Sequence, residues 1–198
     1  AAAFLFPAAG ILVEKIFSMD AAWAFTVAAL LWVYLGIQKG QVTQDGLTGL
    51  NNRRRLDQYM WELDERSGER ETCCYLLMDV NKFKKVNDTY GHVTGDEVLR
   101  LVAEQLKRTF GNMQAFLARY GGDEFVVIVK GKTQDEMDVI IHQTQENVNA
   151  IAWGADTPWQ LSISIGCAMR GEQGKQKSHE LLALADERMY RQKKGIQD

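Results

Sequence analysis

Cysteine is scarce in this sequence: three among 198 residues, two of them adjacent as Cys73 and Cys74. Adjacent thiols make a poor disulfide framework, so the chain fits a reducing compartment, with its cysteines serving as small buried hydrophobes. No Cys-x-x-Cys or paired-histidine spacing is present, which removes the usual zinc sites. Basic residues are not in excess. Against 26 Asp and Glu stand 23 Lys and Arg, a net charge of −3, so there is no global signal for nucleic acid and none is expected as a partner. Internal repeats and low-complexity tracts are absent. Charge itself is nearly missing at the start, where only Glu14, Lys15 and Asp20 precede Lys39. The sequence also lacks an initiating Met and reads as a piece of a longer protein. What is there suits a packed core: 46% of residues are apolar and 25% charged.

The uncharged start has a reading of its own. Ala21 to Ile37, "AAWAFTVAALLWVYLGI", would span about 26 Å as a helix, close to the thickness of a bilayer core. Trp23 lies near one end and Trp32 and Tyr34 near the other, as interfacial aromatics do. Lys39 and then Arg53, Arg54 and Arg55 follow, which places the C-terminal side in the cytoplasm. The run Ala1 to Val13, broken by Pro7, reads as the tail of another spanning helix. Residues 1–38 are therefore expected to be transmembrane, 39–44 a short linker and 45–198 one domain on the cytoplasmic side of an inner membrane. The alternative is a buried helix or a dimer stalk in a soluble protein.

From Asp45 onward, helix and strand patterns alternate. "DGLTGLNNRR" is turn-rich and Arg55 to Arg66 has helical spacing. "CCYLLMDV" is a continuous apolar run, expected to be a strand buried on both faces. "NKFKKVNDTY" predicts a short helix stopping at Gly91, and a longer helix is expected to start at Thr94, with Glu97 completing a capping box. "QAFLARY" and "FVVIVK" predict a hairpin. Thr133 to Ala152 predicts a helix, "WQLSISIGCAM" a strand and Ser178 to Lys194 the last helix. The order strand, helix, helix, strand, strand, helix, strand, helix predicts an α+β fold: a split βαβ, ferredoxin-like α/β sandwich.

The chemistry centres on "RYGGDEF", Arg119 to Phe125, where two glycines precede two carboxylates at the hairpin tip. In a split βαβ sheet the first strand neighbours the central hairpin, so Asp79 can face Asp123 and Glu124. Carboxylates from two strands make a hard oxygen site suited to Mg2+ or Mn2+, with substrate phosphates completing the shell. Gly121 and Gly122 remove side chains where a phosphate would approach, and Lys84 and Lys85 stand ready to neutralise it. The competing account is that such carboxylates are solvated decoration of a turn.

These segments resemble the GGDEF-domain diguanylate cyclases, which join two GTP into cyclic di-GMP. The likeness runs from about Asp45 to Lys194 and rests on "DGLTGLNNRR", "MDVNKFKKVNDTYGHVTGDEVL", "RYGGDEF", "LSISIGCA" and "ADERMYRQKK" in that order. The resemblance implies a nucleotide-cyclase-type sandwich and a role for each matching position. Asp79, Asp123 and the Val80 carbonyl match metal ligands. Asp123 also matches the acceptor of the 3′-hydroxyl proton, and Glu124 its acidic neighbour. Lys84 matches the residue stabilising charge at the reacting phosphate, and Lys193 a phosphate-binding lysine. Asn87, His92 and Asp96 match contacts to guanine. As residues alone, Asn87 also suits a turn and Asp96 the first turn of a helix. The family reading implies a homodimer, because each 3′-hydroxyl attacks the partner domain's GTP.

Three positions depart from the family pattern. Asn81 stands where an acidic residue is usual, two positions after Asp79. The closing helix ends "KKGIQD" without the usual Gly-Arg-Asn. The Arg-x-x-Asp of product inhibition is replaced by Asn112 and Ala115. The leading expectation is a membrane-tethered, metal-dependent cyclase. Its rivals are a non-catalytic GGDEF-type receptor for GTP or cyclic di-GMP, and a membrane scaffold with no nucleotide role.

Overall fold

A computed structural model of the chain describes residues 9, 11, 22–39, 43–66, 72–152, 160–171 and 176–195. The chain divides into two compact units, Ala1–Val42 and Thr43–Asp198. In the first, helix α1 covers Ala22–Lys39. Its Trp23, Leu30, Trp32 and Tyr34 are exposed. The sequence led us to expect a membrane span over Ala21–Ile37, but among the described residues no helix is long and apolar enough to cross a membrane. The expected helix over Ala1 to Val13 falls almost wholly outside the described residues.

The second unit is built around a four-stranded sheet. Helix α2 (Arg53–Arg66) is followed by β1 (Cys73–Val80), α3 (Phe83–Tyr90), α4 (His92–Phe110), β2 (Ala115–Arg119), β3 (Glu124–Lys130), α5 (Gln134–Asn149), β4 (Ile163–Met169) and α6 (Ser178–Lys194). The strand order is β2-β3-β1-β4 with antiparallel neighbours throughout, which is the split βαβ arrangement. All eight residues of β1 are buried, because it pairs on both edges and carries helices on both faces. On one face Leu76, Met78 and Val80 pack with the α4 stripe Val98, Val102, Leu106 and with Met137 of α5. On the other, Tyr75 and Leu77 pack with Leu56, Met60 and Leu63 of α2 and Leu181, Ala185 and Met189 of α6. The expected ferredoxin-like core therefore gains a second helical layer, from the helices that precede and follow it.

Helix boundaries follow local chemistry. Asn52 Oδ1 accepts from the Arg55 amide at 3.0 Å, so α2 starts two residues earlier than its apolar spacing suggested. Thr133 and Glu136 form a reciprocal capping box on α5. The box expected at Thr94 and Glu97 does not form. Gly91, at φ 83°, ends α3 and opens α4 in one residue, which leaves Thr94 inside the first turn with its hydroxyl donating to the Tyr90 carbonyl at 3.0 Å. Gly166 on β4 lets α6 come close: a Cβ there would collide with the Ala185 carbonyl oxygen and the Met189 amide.

Candidate active site

The carboxylates named from the sequence meet at one end of the sheet. Asp79 is the seventh residue of β1, and its ladder partners are Glu124 on β3 and Ser164 on β4. Residues directly opposite in an antiparallel ladder share a face, so all three lie on the α2/α6 side. Asp123 closes the hairpin turn, where its carbonyl accepts from the Val80 amide at 3.2 Å. That bond ties the tip of the hairpin to the end of β1. From the last turn of α6, Lys193 Nζ donates to Asp79 Oδ1 at 2.6 Å. The Asp79 side chain in that pair is 10% exposed and that of Lys193 39%.

Charge is concentrated here beyond what Lys193 balances. Burial and then the negative charge of Asp79 push the Asp123 carboxyl above its ordinary range. The same causes, with Asp123 and Asp186 adding to them, push Glu124 up. A cluster of oxygen donors with surplus negative charge is the chemistry that a hard divalent cation relieves, so the residues fit Mg2+ or Mn2+. Among the described residues no three acidic, histidine or cysteine side chains converge closely enough to cage a metal by themselves. Two carboxylates and a backbone carbonyl would leave part of an octahedral shell to substrate oxygens, an arrangement Mg2+ accepts.

A second network holds the turn that carries Asp123. Arg119 donates from Nη2 to the Gly122 carbonyl at 2.7 Å and from Nη1 to both oxygens of Asp45 at 3.2 Å. Partial burial works against the charged form of Asp45, but bonds from the Thr48 hydroxyl and amide, and then from Arg119, outweigh it and hold the carboxyl below its usual range. The signature turn is thereby fastened to the first turn of the domain, 74 residues away in sequence. Sequence reasoning did not single out this pair, and no local spacing signals it. Gly121 has its own reason for lacking a side chain, since a Cβ there would meet Glu124 Oε2 at 2.6 Å.

The remaining predicted residues gather on α3 and α4. Lys84 is exposed in the first turn of α3. Asn87 lies against α4, where Gly95 leaves room for it: a Cβ at Gly95 would overlap Asn87 Oδ1. That oxygen is buried and lacks a hydrogen-bond partner. His92 and Asp96, four residues apart and both exposed, share one face of the start of α4. No hydrogen bond or ion pair joins these residues to the acidic group. Asn81 braces the site instead of entering it: it donates to Ser162 Oγ at 3.1 Å and accepts from Ser164 Oγ at 2.8 Å. Lys82, next along, sits at φ 59°, the one described non-glycine residue in the left-handed region. Such strain is held where the surroundings over-determine it, here at the turn leaving Asp79 and Val80.

Comparison with known proteins places the chain in a family. The family model "Diguanylate cyclase, GGDEF domain" matches residues 42–198. The chain is 38% identical over 156 residues to "Probable diguanylate cyclase DgcI" of Escherichia coli, an alignment covering 76% of this chain and 31% of that protein. It is 34% identical over 161 residues to diguanylate cyclase DosC of E. coli, covering 78% of this chain and 34% of DosC. The chain thus spans about a third of the length of these curated relatives. The crystal structure of the GGDEF domain of DgcB from Caulobacter crescentus in complex with c-di-GMP superposes with a TM-score of 0.69 at 30% identity, over 78% of this chain and 92% of that one. The structure of the DgcB coiled coil and GGDEF domain reaches a TM-score of 0.70 at 28% identity, over 90% of this chain and 95% of that one. Together with the carboxylates at the hairpin tip, these matches establish that the chain belongs to the GGDEF domain family.

Proposed function

We propose that the chain carries the catalytic domain of a diguanylate cyclase, residues 45–198 following a 39–44 linker, which condenses two GTP into cyclic di-GMP and pyrophosphate. The observation that carries this reading is the placement of Asp79, Asp123 and Glu124 at one end of the sheet, with two of the three carboxyls raised by burial and mutual charge. Asp79, Asp123 and the Val80 carbonyl would hold Mg2+ or Mn2+. When bound, the metal supplies positive charge at the phosphate oxygens. Asp123 accepts the proton of the attacking 3′-hydroxyl. The new bond forms between the 3′-oxygen and the α-phosphorus, and pyrophosphate leaves. Glu124 holds the acidic cluster, while Lys84 and Lys193 stabilise phosphate charge. Asn87, with His92 and Asp96, receives the guanine edge.

One domain holds one GTP, so two domains must face each other and the enzyme acts as a homodimer. The exposed apolar side chains of α1 support pairing or anchoring, and the relative whose structure includes a coiled coil covers 90% of this chain. Attachment to the inner membrane with the domain in the cytoplasm is supported by the nearly uncharged start of the sequence and by the basic residues after it. Carbonate extraction of membranes from cells making the full-length protein tests the anchor, and release into the soluble fraction refutes it. Incubation of the chain with GTP and Mg2+, with chromatography of the products, tests the reaction. A receptor would bind GTP or product without turnover, and that result would replace the enzymatic reading.

A further inference from the structure

β4 lies at the edge of the sheet, so the outward backbone groups of alternate residues face no strand. Side chains take three of them. Arg188 Nη1 donates to the Cys167 carbonyl at 2.6 Å, and Gln192 Oε1 accepts from the Ile165 amide at 2.6 Å. Gln145 of α5 donates to the Ile163 carbonyl at 3.2 Å and to the same Gln192 oxygen at 3.3 Å. The first two bonds form a ladder between a helix and a strand edge. Four residues of helix rise about 6 Å and two residues of strand about 6.7 Å, so Arg188 and Gln192 match Cys167 and Ile165 rung for rung. Gly166, between those rungs, lets the helix come near enough for the bonds to close.

We infer that Gln192 is a positioning residue that sets the axial register of α6 and thereby delivers Lys193 to Asp79. The register makes the link. Gln192 stands level with Ile165, and Lys193 is the next residue, approaching the level of Ser164. The ladder partner of Ser164 on β1 is Asp79, to which Lys193 Nζ donates at 2.6 Å. A slip of α6 by one turn, about 5.4 Å, would carry the ammonium out of reach of the carboxylate. Gln192 receives in both of its bonds here, from the Ile165 N–H and from Gln145 Nε2. The requirement at position 192 is therefore an acceptor of this length, not an amide as such. The importance of Lys193 rests on the proposed cyclase reaction; the register lock itself does not.

The test uses the full chain with Gln192→Met, which keeps length but loses the oxygen, and Gln192→Glu, which keeps the acceptor. Amide hydrogen exchange at Ile165 reads the lock without reference to turnover. We expect exchange to quicken on the order of tenfold or more in Gln192→Met and to stay near wild type in Gln192→Glu. With GTP and Mg2+, kcat/KM should fall roughly tenfold or more in Gln192→Met and be largely retained in Gln192→Glu. In a Lys193→Ala background, Gln192→Met should add little further loss, a non-additivity that general damage to the fold would not produce. Unchanged Ile165 exchange in Gln192→Met overturns the lock. Quickened exchange with full turnover, or additive losses with Lys193→Ala, overturns the positioning role. A wild-type chain without turnover sinks the cyclase reading alone, and the exchange measurement still decides the lock.

Discussion

Replacing Asp123 with Asn should make the domain inactive and more stable at once. The carboxyl is half-buried and lies in the field of Asp79 and Glu124, and both burial and that field raise its proton affinity. At neutral pH the folded state therefore carries repulsion that the unfolded chain does not. Because Asp123 is partly solvated, the relief on removing its charge is of the size measured for exposed pairs, about 0.5–1 kcal/mol. For a domain of this size that corresponds to a rise in Tm of roughly 1–4 °C. The sign of the pH dependence follows from the same cause. Between the ordinary carboxylate value and the raised native one, the folded state binds more protons than the unfolded chain, so stability falls as pH rises through that window. Asp45 is shifted the other way, as is Asp64 at the end of α2, where partial burial is outweighed by bonds from Ser178 and Arg170, and their contributions are lost only as pH falls below the ordinary value. From about pH 4 upward the decline should thus come from the acidic cluster, and Asp123→Asn should flatten it. Thermal unfolding across pH, paired with a turnover assay expected to fall at least about 100-fold, checks both halves. A variant that unfolds several degrees lower, or that still makes product at a tenth of the wild-type rate, would refute the reasoning.

Arg119→Ala removes a half-buried ion pair to Asp45 and the brace on the Gly122 carbonyl; stability should drop by about 1–3 kcal/mol in denaturant titrations, and Lys should rescue poorly because it lacks the planar fork. Asn87→Ala and Asp96→Ala should raise the GTP requirement and erode discrimination against ATP by roughly 100-fold, read as the ratio of kcat/KM values. Added cyclic di-GMP should not inhibit through the turn before the hairpin, since exposed Asn112 carries no cation and Ala115 no acceptor; strong non-competitive inhibition at micromolar product would reveal another inhibitory surface.

The element order was legible because the two periods are well separated here. β1 is continuous apolar sequence and α4 a clean stripe, and both were placed within a residue or two. Asp79 could be brought to the hairpin tip on paper, since a split βαβ order makes β1 and β3 neighbours whatever their side chains. Contacts that depend on which face a helix covers were not legible. Nothing local says that α2 and α6 share the face opposite α4 and α5, so the second helical layer was missed. The Thr94 capping box failed for a related reason: one glycine at positive φ joined two helices without the residues a separate cap needs. The brace between Arg119 and Asp45 spans 74 residues, and Gln192 is an ordinary exposed helix residue until its partner strand edge is known.

Carboxylates are held together at this end of the sheet only because the elements bearing them are fixed by other means. Asp79 follows a strand buried along its whole length, the Asp123 turn is clamped by Arg119 and by the Val80 amide, and the helix carrying Lys193 is keyed to β4 by Arg188 and Gln192. Two classes of substitution should therefore separate by sign. Removing a clustered charge relieves strain and abolishes chemistry, so stability rises as activity falls. Removing a brace lets the charges relax apart, so stability and activity fall together. Placing Asp123→Asn, Arg119→Ala and Gln192→Met on one plot of Tm against kcat/KM tests the division directly. If Asp123→Asn fell on the same descending line as the braces, the acidic cluster would be an ordinary stabilising network and the site would need a different explanation.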